Sequence, residues 1–406
     1  MNTTISAHPY DLIVIGAGVS GLTLASRAAQ SGHSVLVLEG ENRVGGCIES
    51  WRPFDDFPVE LGAHTAYNSY GALLTELEAR AGLSGLLPRE KAGYYFFEHG
   101  KTVSPLRRLS FLSLLIHLPF GLLRDKALVS VGAYYRRLFG VGNYQRLLAP
   151  AFAAVLSQTA EDYPAAWLFR KKPRVKTAPR KYSHTGGLQG LAEAMTTDLI
   201  VRTGTPALAI SRTDTGYTVT TAQGELACRK LAIATPADVA GRLLADAHPD
   251  LARPISHIKM VDIETLAVVV RRDAVRLPKL AGLIGDTAPF FSVVSRDPLQ
   301  HADYRAFTFH FRPDSLDAAQ KRTVVAQVLA VAEDQFLALT EKTNRLPWLM
   351  VEHVRLAAQI DQHTRNLPLA LVGNYLNGLS IGDCAERARR EAERLMALSP
   401  SNESMD

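Results

Sequence analysis

Cysteine is scarce: the 406-residue chain has three, Cys47, Cys228 and Cys384, far apart from one another. That excludes a disulfide framework, a four-thiolate zinc site and a redox Cys-x-x-Cys pair, and it points to a reducing, cytoplasmic setting. Metal-ligand spacing is missing as well, because His64, His117, His184 and His310 stand in no H-x-x-x-H pattern, so no metal is expected. The longest apolar run, Phe111 to Leu123, is interrupted by His117 and Pro119 and falls short of the about 20 residues that a membrane span requires. The first run, Leu12 to Ile15, is too short for the core of a secretory leader. Neither sign of charge dominates. The 45 Lys and Arg against 40 Asp and Glu leave a net charge of +5, too little to call for nucleic acid but suited to anionic ligands or an anionic membrane surface. With 47% hydrophobic and 21% charged residues, the composition is that of a globular chain of two or three domains.

What is present begins with YDLIVIGAGVSGLTLASRAAQSGHSVLVLEGENRVGG. Residues 10–15 are a short apolar run, as in a strand buried in a parallel sheet. Val19 to Ser31 has helical spacing, Gly32 is a natural stop, and Ser34 to Leu38 is a second strand, which completes a β-α-β unit. From Tyr70 to about Leu168 the pattern is mostly helical. Arg170 to Lys181 then places seven cations in twelve residues, and Pro173 and Pro179 predict a basic loop there. Short strands with a TDTG turn fill residues 201–235, and Ile263 to Arg271 and Tyr304 to Phe311 read as further strands. Gln320 to Leu339 reads as a helix, Leu369 to Asn374 as a strand, and Asp383 to about Leu398 as a closing helix, with a frayed SPSNESMD tail.

Gly16, Ala17, Gly18, Val19, Ser20 and Gly21 spell G-x-G-x-x-G between the first strand and the first helix. Gly16 suits the tight turn, Gly18 the approach of a pyrophosphate to the helix N-terminus, and Gly21 close helix–strand packing. Glu39 ends the second strand 18 residues after Gly21, where a carboxylate accepts the ribose hydroxyls of an adenine dinucleotide and argues against a 2′-phosphate.

The segments that follow resemble the flavin-containing amine oxidase superfamily. Glu41-Asn42-Arg43-Val44-Gly45-Gly46 is similar to its R-x-G-G signature. Glu60-Leu61-Gly62-Ala63-His64-Thr65 resembles the loop that the superfamily places beside the flavin, and Thr205-Pro206-Ala207-Leu208-Ala209-Ile210 resembles the strand whose backbone meets the adenine. Leu231 to Ala237 resembles the A-x-P-A strand ending. Val372 to Cys384, with Asn374, Leu379, Ser380, Ile381 and Asp383, resembles the protoporphyrinogen-oxidase branch, as do Ser183 to Met195 and Tyr134 to Gly140.

The resemblance implies FAD as cofactor, held by the glycine-loop residues Gly16 to Gly21, Glu39, Arg43, Gly45, Gly46, Gly62, Ala63, His64, Ala207 and the C-terminal set just named. It also implies that the helix starting near Asp383 directs its positive end at the flavin, favouring hydride acceptance at N5. The expected fold is α/β: a discontinuous Rossmann-type FAD-binding domain from residues 1–69, 185–250 and 366–406, and a substrate domain of mixed sheet plus a helical subdomain from 71–184 and 251–365. The activity implied is oxidation of a lipophilic, carboxylate-bearing porphyrinogen, with oxygen or another acceptor taking the electrons. A desaturase or oxidase of an isoprenoid or amine, and a flavin-binding partner protein without turnover, are the alternatives. No catalytic base is assigned. Phe111 to Leu123 has two readings, helical core or a peripheral membrane element on the cytoplasmic face. Cys47, Trp348 and Tyr375 read as packed residues.

Overall fold

The computed structural model describes residues 10–80, 82–121 and 125–398; the tail SPSNESMD and the end of the run Phe111 to Leu123 lie outside them. Two seven-stranded sheets organise the chain. In the first, Tyr10–Ile15 pairs in parallel with Val35–Leu38 on one side and with Gly224–Ile233 on the other. Leu12, Ile13 and Val14 are fully buried, which is why this strand is apolar on both faces. Ile200–Arg202 extends the sheet beyond Val35–Leu38. The long strand Gly224–Ile233 takes Gly216–Thr221 along its first half and Leu369–Leu371 along its second half. Its first half is antiparallel to its neighbour and its second half parallel.

The helix Val19–Gln30 covers this sheet and packs beside the last helix, Ile381–Ala397. Both helices begin at the carboxyl ends of parallel strands, so their N-termini share one edge, the edge where open α/β sheets bind ligands.

The second sheet runs in the order Phe336–Pro347, Met260–Arg271, Tyr304–Phe311, Phe290–Ser295, Gly282–Gly285, Tyr94–Glu98, Lys101–Val103. Phe290, Phe307, Phe309 and Phe311 fill the core on one side of it. The helix Ala318–Leu329 closes that core, started by a reciprocal capping box between Asp317 and Gln320.

Three expectations are corrected. The stretch after Tyr70 is less helical than its apolar content suggested: Leu86–Pro88, Tyr94–Glu98 and Lys101–Val103 are strands, because the aromatic run Tyr94 to Phe97 finds an open edge of the second sheet. The helix read through Leu339 ends at Leu329, where Ala330 turns left-handed at φ 51°, and Phe336–Pro347 becomes a strand along Met260–Arg271. The third concerns Phe111–Gly121, a helix that is not core. Leu112 and Leu115 are 69% and 74% exposed, and Phe111 and Ile116 are exposed beside them.

A candidate FAD site and the cleft beside it

The glycine loop separates into two constraints of packing and one open position. Gly16 sits at φ +106°, and a Cβ there would lie 2.8 Å from the Ala234 carbonyl oxygen. A Cβ on Gly21 would lie 1.9 Å from the Gly16 oxygen. A Cβ on Gly18 meets nothing within 4 Å. The first helix has no side-chain cap at Gly18, so the N–H groups of Val19, Ser20 and Gly21 have no intrahelical acceptor and face the open space. That space and those donors fit a pyrophosphate.

The second strand ends beside the same loop. Glu39 accepts from the Ala17 N–H at 2.7 Å and from the Glu41 N–H at 2.9 Å. Thr205 donates its N–H to the Glu39 carbonyl, and Gly204 donates to the Glu41 carbonyl. The segment carrying Ala207 therefore runs across the end of that strand, next to the carboxylate expected to hold the ribose. Gly18 and Gly45 form a bridge. Arg43 is turned inward, donating to the Gly46 carbonyl at 2.9 Å and pairing with Glu41 and Glu49; here it braces the loop.

At the last helix, Ser380 caps the first turn by accepting from the Asp383 N–H at 3.0 Å. Ile381 and Gly382 keep N–H groups without intrahelical acceptors. Lys172 pairs with Asp383 at 2.7 Å, and Arg170 donates to Asn377 at 3.0 Å while standing 3.8 Å from Asp383. Two of the seven cations of the basic segment are thus committed to this helix start. Lys172 also lies over the Tyr70 ring, whose phenol burial pushes up. Cys384 is buried and its thiol is pushed up to about 12 by burial. Asn374 and Leu379 flank this turn, half-buried. Cys47, expected to be packed, is exposed.

The loop Gly62-Ala63-His64 leads from this edge to the second sheet, and the Gly62 backbone comes so close to the Cys47 carbonyl that a Cβ would sit 1.9 Å from it. His64 Nε2 lies 2.7 Å from His310 Nε2, and burial holds both imidazoles below the ordinary range, His310 at about 4. Next to them is a recess lined by Glu60, His64, Arg89, Ser295, Arg296 and Thr308, among others. Arg89 donates to the His64 carbonyl at 2.8 Å, and Arg296 donates to the carbonyls of Pro58 and Leu299. Neither guanidinium has a carboxylate within ion-pair distance among the described residues. Burial lowers both, Arg296 to about 10. Glu60 is buried too, its carboxyl raised by burial while Ser50 and the Leu188 N–H donate to it. No motif marked Arg89, Arg296 or His310; pairing of Phe290–Ser295 with Tyr304–Phe311 brings the last two together, and Arg89 joins them through the His64 carbonyl.

No group of three or more His, Cys, Asp or Glu residues suited to a metal ion occurs among the described residues, and none of their helices is long and apolar enough to cross a membrane.

A 64-residue stretch is 36% identical to 15-cis-phytoene desaturase of Arabidopsis thaliana, covering 16% of this chain and 11% of that protein. The matches thus span only about a tenth of the curated relatives' own length. Over the whole chain, the fold matches a protein of Exiguobacterium sp. 255-15 provisionally named a protoporphyrinogen oxidase. That match has a TM-score of 0.75 at 18% identity, over 96% of this chain and 98% of that one. It also matches putrescine oxidase bound to putrescine, with a TM-score of 0.74 at 16% identity, over 96% of this chain and 99% of that one. The model of the family described as flavin containing amine oxidoreductase matches residues 19–396, and with an open glycine cradle and two helix N-termini at one sheet edge, the chain belongs to that family of FAD-dependent oxidoreductases.

Proposed function

We propose that the protein oxidises a large lipophilic substrate carrying carboxylates, a porphyrinogen in the manner of protoporphyrinogen oxidase, with oxygen or another acceptor taking the electrons. The observation that carries this reading is the pair Arg89 and Arg296, two part-buried guanidinium groups in one recess with no carboxylate within ion-pair distance among the described residues, the Glu60 carboxyl of that recess being engaged instead by Ser50 and the Leu188 N–H. An unpaired buried cation is costly, and a substrate carboxylate would relieve that cost through a charge-assisted hydrogen bond. FAD, when bound, supplies a two-electron acceptor. The chain's part is to orient it on the glycine loop, to exclude water with the apolar sheet, and to hold the substrate's anionic rim. Of the basic loop, Lys172 and Arg170 are tied to Asp383 and contribute little to that rim.

The test is anaerobic mixing of the flavin-loaded protein with protoporphyrinogen and coproporphyrinogen while flavin absorbance is followed. Bleaching is expected with one of them. Arg89→Gln should then raise KM by about tenfold or more with little change in kcat, because such a contact holds ground and transition states alike. Bleaching by a carotenoid-like or amine donor alone refutes the porphyrinogen reading and favours the desaturase or amine-oxidase alternative. No bleaching by any donor favours the partner protein without turnover.

The exposed face of Phe111–Gly121 supports a peripheral contact with an anionic lipid surface. Leu106 joins Leu112 and Leu115 there, and Arg107 and Arg137 are exposed nearby. Leucines entering the acyl boundary and cations at the headgroups would act together. Sedimentation with anionic vesicles is expected, and it should be released by high salt. Leu112→Ser with Leu115→Ser should weaken it by at least about tenfold, given on the order of 1.5 kcal/mol or more per leucine transferred. Equal solubility with and without vesicles refutes it.

A further inference from the structure

Four side chains from four separate segments meet behind the cleft. Asn344 Nδ2 donates to the Leu61 carbonyl at 2.7 Å and to Thr265 Oγ1 at 3.1 Å. A carbonyl oxygen only accepts, so the Asn344 amide stands in one orientation. Thr265 Oγ1 lies 3.0 Å from His310 Nδ1, and strand pairing places these two residues directly opposite each other. Among the described residues the Thr265 hydroxyl has no other acceptor, so its hydrogen points at His310 Nδ1, which must be the bare nitrogen of that ring. Neutral His310 then carries its hydrogen on Nε2 and donates it to His64 Nε2, 2.7 Å away. The last ring follows by the same logic. Neutral His64 accepts at Nε2 and carries its hydrogen on Nδ1, and the described residues offer that N–H no acceptor.

Thr265, His310 and Asn344 are buried, whereas His64 is only half-buried and lines the recess with Arg89 and Arg296. We propose that Asn344, Thr265 and His310 are positioning residues that lock His64 in its Nδ1–H tautomer, so that His64 offers the cleft a hydrogen-bond donor and no basic lone pair. The ligand group that fits this donor is an acceptor oxygen, a carboxylate or a carbonyl. An ammonium group is disfavoured, because it would meet an N–H dipole beside two guanidinium groups, and the Glu60 carboxyl of the recess is already engaged by Ser50 and the Leu188 N–H. This selectivity rests on reading the recess as part of the substrate site; the lock itself does not.

The reverse arrangement is internally inconsistent. Were His64 Nδ1 bare, His64 would donate from Nε2, His310 would carry its hydrogen on Nδ1, and the Thr265 hydroxyl would be left buried without an acceptor. Leaving such a group unmade is more costly than the hydrogen bond is worth.

Nitrogen-15 imidazole labelling of the FAD-loaded protein, read by two-bond nitrogen–proton correlation, reports each ring's tautomer directly. The expected result is hydrogen on Nδ1 for His64 and on Nε2 for His310. Thr265→Val keeps the shape and removes the hydroxyl, so both rings should become tautomer mixtures, and Thr265→Ser should restore single forms. Hydrogen on Nε2 of His64 in the unaltered protein, or no change in Thr265→Val, overturns the lock. Benzoate should then move the His64 Nδ1 resonance while benzylamine does not. A shift with benzylamine, or with neither, overturns the selectivity. Failure of every porphyrinogen to bleach the flavin would leave the tautomers as they are, so the two proposals fail separately.

Discussion

A Gly18→Val variant is expected to fold like its parent and to purify colourless, without FAD, whereas Gly21→Val should yield no soluble protein. The two glycines are three residues apart and chemically identical, and the difference lies in what surrounds each. The Cβ of a new side chain at Gly18 meets nothing within 4 Å, so only a bound ligand would collide with it. At Gly21 the Cβ would lie 1.9 Å from the Gly16 carbonyl oxygen and 3.1 Å from Ala234. Neither neighbour can move freely, since Gly16 and Ala234 directly follow the paired strands Tyr10–Ile15 and Gly224–Ile233 and are themselves held by backbone hydrogen bonds to Leu38 and Ile15. The measurements are the flavin absorbance of purified protein and its far-ultraviolet circular dichroism. A yellow Gly18→Val protein would refute the cradle, and a folded Gly21→Val protein would refute the packing constraint.

Asp297→Ala should cost about 3–5 kcal/mol, the typical effect of stripping one partner from a buried ion pair. Arg305 donates to both carboxylate oxygens of Asp297, at 2.9 and 2.6 Å, and also to the carbonyls of Leu277 and Pro278. Both charges are nearly excluded from solvent. The Leu280 N–H donates to the same carboxylate, so the loop before Gly282–Gly285 would loosen with it. Against a total stability of about 5–15 kcal/mol, this loss is a large share. Replacing both members, Asp297→Leu with Arg305→Met, should recover much of it, because no charge is then stranded. Urea unfolding of the single and double variants checks this, and a single variant within about 0.5 kcal/mol of the parent would refute it.

How much of this was legible in advance depends on how far apart the interacting residues lie. The β-α-β start, Glu39 and the Ser380–Asp383 helix start announce themselves because turn, cap and strand chemistry act within a few residues. The strands Tyr94–Glu98 and Phe336–Pro347 were hidden in helical readings, since each exists only through a partner distant in sequence, Gly282–Gly285 for the first and Met260–Arg271 for the second. Arg89, Arg296 and His310 carry no local pattern at all, and only tertiary pairing gathers them: one strand pair for His310 and Arg296, and the His64 carbonyl for Arg89. The core reading of Phe111 to Leu123 fails for a different reason. An apolar run has the same composition whether it faces a core or waits for an external partner.

The strand Gly224–Ile233 has a consequence for synthesis. It joins Tyr10–Ile15 to Leu369–Leu371, and the helix after the latter packs on Val19–Gln30. The dinucleotide unit therefore stays unfinished until Leu369–Leu371 and the helix after it have been made. Tyr10–Ile15 gains its second partner once residue 233 is made, but the free edge of Gly224–Ile233 then waits for Leu369–Leu371, and contacts of such long sequence separation form slowly. A nascent chain of this kind depends on holding chaperones in proportion to its translation time, and pausing late in the message would lengthen its most aggregation-prone stage.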